Sequence, residues 1–276
     1  MPRLGVIGWP VAHSRSPAMF ETAFAELGME DWSYQRLPLP PELFEQTVHA
    51  LGASGFLGAN VTIPHKRAAF ALADRASQAA RAIGAANTLS FHPDGTIEAD
   101  NTDAPGLIAA LGRLTGMPAH PRALVLGAGG SARAAVWGLL DAGAASVSIW
   151  NRTPERASAL AEELGAHAVP RPVQADLLVN CTSVGLQRSA TEAEALNQLD
   201  LSADLLEGYA YVIDLVYRDS PTPLLASARR LGAATVDGLE VLVAQGALSF
   251  ELWTGAPAPL AAMRRGAGVE GHARAT

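Results

Sequence analysis

Lys66 is the only lysine in a chain whose other basic residues are all arginine. It closes the stretch NVTIPHK, residues 60–66. Guanidinium keeps its proton in proteins, whereas a lysine amine can titrate when its surroundings shift it. A general acid–base step or a Schiff-base nucleophile needs such a group. Chance survival of one lysine among 20 basic residues is the alternative that composition leaves open. Asn60 and Thr62 stand two apart at the end of an expected strand, so their side chains point the same way. Pro64 then breaks the strand and turns the chain. The carboxyl end of a parallel strand is where open α/β sheets bind ligands. Ser14 and Ser16 follow the first expected strand, Asn87 opens a hairpin, and DNTD (100–103) closes it. Such hydroxyl and amide groups, brought together, would suit a polyhydroxylated substrate. Taken singly, each can be a turn residue or a cap, and Ser16 is expected to cap its helix.

A second constellation reads LVLGAGGSARA. It follows an expected strand and opens an expected helix, the context that a dinucleotide fingerprint requires. Gly127 permits the tight turn, Gly129 lets the backbone approach a pyrophosphate, and Ala132 fills the third small position. The N–H groups of the helix start favour phosphate charge. A glycine turn before an ordinary helix is the plainer reading. After the next strand an NAD site places an acid for the ribose 2′-OH. This chain instead has NRTPER, with Asn151, Arg152, Thr153 and Arg156, and no acid before Glu155. A guanidinium can pair bidentately with a 2′-phosphate, which points to NADP. The alternative is that these arginines are solvated, although the helix dipole disfavours a cation at that end.

The elements that must position these residues come in two cycles. In the first, residues 4–8, 33–37 and 55–62 read as strands and 16–28 and 40–52 as helices. Residues 87–100 form a hairpin around Asp94-Gly95. The second runs as strand 123–126, glycine turn and helix, strand 146–150, helix 154–164, strands 177–181 and 211–216, helix 222–231, strand 234–236 and an apolar helix 238–255. Residues 186–210 carry no clear pattern, and the Gly/Ala-rich tail from 264 is expected to fray. The order predicts an α/β protein of two α/β domains with a cleft between them. The first has a mostly parallel sheet; the second is a Rossmann domain. The join is expected in the helix after Asp103.

Bulk properties exclude other classes. Hydrophobic residues make up 49% of the 276-residue chain, enough for sizeable cores. A net charge of −7 and the absence of a long basic run exclude a nucleic-acid footprint. The single cysteine, Cys181, rules out an intramolecular disulfide. No stretch has membrane-helix length and no signal peptide is evident, so a cytoplasmic protein is expected. No His/Cys/Asp/Glu spacing resembles a metal site. His13 and His65 read as structural.

The motifs GVIGWPVAHSRSP, GANVTIPHK, GAANT, DNTDAPG, LGAGGSARA, NRT, NCTSVG, DLVY and DGLEVLVAQGALSFELWTG occur in that order. Together they resemble the shikimate dehydrogenase family over nearly the whole chain. The resemblance implies NADP-linked reversible reduction of 3-dehydroshikimate to shikimate, a step toward chorismate and the aromatic amino acids. It implies that Lys66 and Asp103 form the catalytic pair. Substrate contacts then fall to Ser14, Ser16, Asn60, Thr62, Asn87 and Gln245, beside the pair itself. The loop Gly127, Ala128, Gly129 and Gly130, with Ser131 and Ala132, holds the pyrophosphate of NADP(H). Asn151, Arg152, Thr153 and Arg156 surround the adenosine phosphate. Thr182, Leu215, Tyr217 and Gly238 match positions on the nicotinamide side. The implied substrate domain is 1–103, completed by 237–276; the NADP domain is 104–236. A monomer or homodimer is expected, with a small-molecule substrate and neither nucleic acid nor membrane as partner.

Two departures stand out. Glu240 and Val241 follow DGL, where glycine or proline and then methionine are common in the family. RDSPTPLL follows Tyr217, where an early proline is usual. An NAD-using quinate/shikimate dehydrogenase is the nearer alternative, and Arg152 speaks against it. A non-catalytic NADPH-binding sensor is the more distant one, and the polar cluster around Lys66 speaks against that.

Overall fold

The structure, a computed structural model, describes residues 1–187 and 191–269. The chain divides into two compact units, 1–106 with 242–276, and 107–241. The expected joins, 103/104 and 236/237, lie a few residues ahead of these divisions. The divisions themselves fall inside two helices, so no Gly/Pro-rich linker marks them.

The first unit contains β1 (Arg3–Gly8), α1 (Ser16–Glu26), β2 (Ser33–Pro38), a 3-10 turn (Pro41–Leu43) and α2 (Phe44–Ala53). There follow β3 (Phe56–Val61), α3 (Lys66–Leu72), β4 (Arg75–Ala76), α4 (Gln78–Ile83), β5 (Thr88–Phe91), β6 (Ile97–Asp100) and the start of α5 (Asp103–Leu111). The expected helix 40–52 is thus split, and α3, β4 and α4 are additions to the expected elements. These short elements carry too few periodic positions to stand out in sequence.

Strand order in this sheet is β2-β1-β3-β5-β6-β4. β1 runs parallel to β2 and β3, and β4 parallel to β6, while β5 is antiparallel to both β3 and β6. β5 is therefore the one reversed strand, as the hairpin at Asp94-Gly95 requires. Leu4 and Val6 of β1 join Met19, Phe20, Phe250 and Met263 in a core on one face. Ile7 joins Phe44, Val48 and Leu89 on the other. This alternation is the period-2 pattern of a strand covered on both sides. Phe20 stacks on Tyr34 at 4.2 Å between ring centroids. Full burial of such a side chain stabilises the fold by ~1.5–3 kcal/mol.

The second unit contains β7 (Arg122–Leu126), α6 (Gly130–Asp141), β8 (Ser146–Trp150), α7 (Pro154–Leu164), β9 (His167–Ala168) and β10 (Leu177–Asn180). It continues through α8 (Glu192–Gln198), α9 (Ala203–Glu207), β11 (Tyr211–Asp214), α10 (Pro223–Arg230) and β12 (Ala234–Asp237). α8 and α9 fill much of the span without clear sequence pattern; both are short, and α8 starts at a capping box built by Thr191 and Glu194. Every pair in the order β12-β11-β10-β7-β8-β9 is parallel. The order reverses between β7 and β10, which is the topological switch point of a doubly wound sheet.

α11 (Gly238–Thr254) and α12 (Leu260–Ala267) are the last elements among the described residues. Arg264 and Arg265 belong to α12, so the expected fraying does not begin there. The rest of that expectation, residues 270–276, lies outside the described residues. Within the first unit, α11 lies hard against β3. A Cβ on Gly58 would come within 2.2 Å of Trp253 Nε1. α5 and α11 also touch closely, since a Cβ on Gly106 would meet the Gln245 backbone nitrogen at 2.7 Å.

Candidate active site

Parallel β1, β3 and β6 end on one edge of the first sheet. Reversed β5 begins there, because Thr88 pairs with both Asn60 and Asp100. Its reversal brings Asn87 to the edge that carries Lys66 and Asp103.

The chain leaves β3 through a cis Ile63-Pro64 bond and enters α3 at Lys66 itself. Sequence reasoning places this lysine after a strand-ending turn; the structure shows that it opens a helix. An ammonium there meets the unfavourable end of the helix dipole. The Asp103 carboxylate, first residue of α5, supplies the opposite charge: Lys66 Nζ donates to Asp103 Oδ2 at 2.6 Å. Both side chains are largely buried, at 10% and 18% exposure. The preceding His65 is a packing residue. Its ring stacks on Phe44 and its Nε2 donates to the Leu39 carbonyl at 2.7 Å. Burial lowers its pKa, so the ring is neutral at pH 7.

Asn87 Nδ2 faces three oxygens: Thr102 Oγ1 and Asp103 Oδ1, each at 2.9 Å, and Gln245 Oε1 at 3.0 Å. An amide nitrogen carries only two hydrogens. The Thr102 hydroxyl is a further donor in reach of Gln245 Oε1, at 3.4 Å. Asn87 Oδ1 accepts from the Thr102 backbone N–H at 2.7 Å, which fixes the amide's orientation. Asn101 Oδ1 accepts from the N–H groups of Asp103 and Ala104, capping α5.

Asn60 is held differently. Its Oδ1 accepts from the Tyr34 hydroxyl at 2.7 Å, and its Nδ2 donates to Ser249 Oγ at 2.9 Å, with Asn87 O and Thr88 Oγ1 also in range. Its amide is thus committed inside the protein, where it braces Asn87. Ser249 also bonds Thr88 at 3.0 Å and Thr102 at 3.1 Å. Gln245, Ser249 and Trp253 recur every four residues, one stripe of α11 turned to this sheet. Tyr34, Thr88, Thr102 and Ser249 are not singled out by sequence. The four-residue step from Gln245 to Ser249 is the available signal for the last.

Ser14 and Ser16 are both buried after β1. The expected cap is corrected: Arg15 occupies the N-cap position, Ser16 is the first helical residue, and Ser14 Oγ accepts from the Ser16 N–H at 3.3 Å. The Arg36 guanidinium donates to the Ser14 carbonyl at 2.6 Å. Thr62 lies just past β3, and its methyl occupies the space a Cβ on Gly8 would need.

In the second unit the fingerprint loop follows β7. Gly127 has φ +108°, a conformation other residues adopt only under strain. Gly129 is the N-cap of α6, and a Cβ there would meet nothing within 4 Å. No acidic residue occupies the first turn of this 12-residue helix. Open space at a helix N-terminus and no competing carboxylate fit a pyrophosphate. Gly130, Ser131 and Ala132 form the first turn, with Ala132 fully buried against the sheet. After β8, Asn151 Nδ2 donates to the Thr153 carbonyl at 2.8 Å, and Arg152 and Arg156 are exposed. The donors fit a 2′-phosphate. Thr182 follows β10 and Leu215 and Tyr217 follow β11; Gly238 opens α11, where a Cβ would strike the Leu215 carbonyl at 2.5 Å. β11 stops at Asp214, short of the expected 216. Of the two departing residues, Glu240 lies 3.6 Å from Arg113 and Val241 is buried in the core. Among the described residues no group of three or more His, Cys, Asp or Glu is placed to hold a metal, and no helix is long and apolar enough to cross a membrane.

A parallel nucleotide-binding sheet in one unit and a buried lysine–carboxylate pair among amides in the other define a two-unit α/β oxidoreductase. Known proteins narrow this. The pattern of the shikimate dehydrogenase substrate binding domain matches residues 6–89, that of shikimate / quinate 5-dehydrogenase 113–196, and that of the shikimate 5'-dehydrogenase C-terminal domain 238–265. Shikimate dehydrogenase (NADP(+)) of Methylobacterium radiotolerans is 47% identical over 268 residues, 92% of each chain. The Acidiphilium cryptum protein of the same name is 46% identical over 257 residues, 91% of this chain and 90% of its own. The crystal structure of shikimate 5-dehydrogenase from Thermus thermophilus, in complex with NADP(H) and shikimate, superposes with a TM-score of 0.86 at 43% identity, covering 98% of this chain and 99% of its own. The chain belongs to the shikimate dehydrogenase family.

Proposed function

We propose that this protein catalyses the NADP-linked reversible reduction of 3-dehydroshikimate to shikimate, a cytoplasmic step toward aromatic amino acids. The 2.6 Å contact between Lys66 and Asp103 at the ligand-binding edge of the first sheet carries this reading. The substrate belongs to the unit 1–106 with 242–276, and NADP(H) to 107–241. The names and complexes of the relatives support both assignments.

The cofactor, when bound, supplies the hydride. The protein's share is to stabilise and protonate the oxygen. As a ketone is reduced, negative charge develops on its oxygen, and the Lys66 ammonium stabilises that charge and exchanges the proton. Asp103 aims the amine through Oδ2 while Asn87 holds Oδ1. Its carboxylate and the Gln245 carbonyl oxygen accept from ring hydroxyls. Ser14, Ser16 and Thr62 offer hydroxyl donors to the substrate's carboxylate and ring. Asn60 acts by holding Asn87. Gly127, Ala128, Gly129, Gly130, Ser131 and Ala132 hold the pyrophosphate. Asn151, Arg152, Thr153 and Arg156 take the adenosine phosphate, and Thr182, Leu215, Tyr217 and Gly238 border the nicotinamide.

The test is steady-state turnover of shikimate and of quinate, each with NADP and with NAD. Preference for shikimate with NADP is expected. Preference for NAD or quinate would move the protein to the neighbouring specificity, and cofactor binding without turnover of either alcohol would reject the enzymatic reading.

A further inference from the structure

Asp214 is a fully buried carboxyl that the chemistry above does not use. It ends β11 in lateral register with Asn180, the last residue of β10. Adjacent parallel strands place such side chains side by side, and Asn180 Nδ2 donates to Asp214 Oδ1 at 2.8 Å. The same oxygen accepts from the Val216 N–H at 3.0 Å, and Oδ2 accepts from Thr222 Oγ1 at 2.6 Å. Asn180 continues the chain outward: its Oδ1 accepts from the Thr182 N–H at 3.0 Å and from Thr182 Oγ1 at 2.7 Å. Thr182 Oγ1 in turn accepts from the Val184 N–H at 3.1 Å. One carboxyl therefore ties together the loop after β10 and the whole loop from β11 to α10. Arg218 adds a tie at the rim, donating from the second loop to the Gly185 carbonyl of the first at 3.3 Å.

Burial is costly for this group. It pushes the carboxyl up to about 7, with the charge of Asp237 acting in the same direction. An apolar residue at the end of a core strand avoids that cost, so stability alone does not account for an acid here. The position does. The glycine loop follows β7, and β10 and β11 are the next strands on the side of the switch point away from β8. With the adenosine end at Arg152 after β8, the opposite end of a dinucleotide extends over the loops after β10 and β11.

We propose that Asp214 is a positioning residue: through Asn180 and Thr222 it holds these two loops in the shape that receives the nicotinamide half of NADP(H). This rests on the NADP-binding reading of the unit.

The test compares two affinities by titration calorimetry, for NADPH and for adenosine 2′,5′-bisphosphate, which has only the adenosine half. Asp214→Ala removes both carboxyl oxygens and so releases Asn180, the Val216 N–H and Thr222 together. It is expected to weaken NADPH at least about tenfold while adenosine 2′,5′-bisphosphate stays within about twofold of wild type. Should that variant not fold, Thr222→Ala, which removes the Oδ2 partner together with the cap that the same hydroxyl gives the Leu225 N–H of α10, is expected to show the same split, with Thr222→Ser restoring NADPH binding. Equal loss of both ligands would mean general destabilisation of the unit and overturn the proposal, as would unchanged NADPH affinity in the folded variants. A wild-type protein that binds neither ligand would instead reject the NADP-binding reading itself.

Discussion

Asn87 donates to Asp103 Oδ1 at 2.9 Å, the carboxylate oxygen opposite the one that Lys66 holds. Asp103 is thereby gripped from both sides, by an amine and by an amide that its own neighbour Thr102 orients. Neither the amine nor the carboxylate can swing without breaking a buried hydrogen bond.

Replacing Lys66 tests the proton. Lys66→Arg preserves charge without a transferable proton, and Lys66→Ala removes both. Each is expected to lower kcat at least about a hundredfold, the lower end of acid–base contributions. Steady-state kinetics with 3-dehydroshikimate decides; near-normal turnover by either variant would take Lys66 out of the mechanism.

Asn87→Asp sets a second carboxylate against Asp103, where the two like charges repel each other. The acidic limb of the kcat profile should move to higher pH, and kcat at pH 7 should fall by about tenfold or more. Asn87→Ala should lower kcat without that shift. Superimposable pH profiles for the two variants would argue against a charge held at 103.

Under the proposed function, cofactor choice falls to Arg152 with Arg156. Hydrogen bonds to a charged group contribute ~1.5–3 kcal/mol. Arg152→Ala should therefore raise the KM for NADP about ten- to a hundredfold and leave that for NAD nearly unchanged. Equal effects on both would place the guanidinium away from the 2′-phosphate.

Ser249→Ala strips one partner from Asn60, Thr88 and Thr102 in a fully buried cluster. Unsatisfied buried groups cost ~1–3 kcal/mol. Thermal unfolding should shift down by several degrees, while the affinity for adenosine 2′,5′-bisphosphate stays the same. An unchanged melting temperature would show that the cluster repairs itself.

Asp214 makes stability pH-dependent. Its folded pKa, about 7, lies above its ordinary value of 3.8. Between those values the folded state binds a proton that the unfolded state has released, so stability falls as pH rises through that window and levels off above it. A shift of this size is worth on the order of 4 kcal/mol. Denaturation of wild type and Asp214→Asn from pH 4 to 8 should give curves whose difference grows across the window; a constant difference would mean that Asp214 does not titrate there.

Local chemistry is legible in the chain itself. The glycine turn at 127–130, the hairpin at Asp94-Gly95 and the alternation of strands with helices follow from turn preferences and periodicity, which near neighbours encode. The isolation of Lys66 among arginines is legible as composition. Short helices are not: α3 and α4 offer too few turns for a periodic signal, so sequence alone leaves Lys66 in a turn. The assembly of the site is decided only in three dimensions. Lys66 and Asp103 are 37 residues apart and Asn87 and Gln245 158 apart. They meet because β5 runs backwards and because α11 packs on the first sheet where Gly58 and Gly106 leave room. Strand direction and helix docking depend on register and packing between distant segments, and no local stretch contains them.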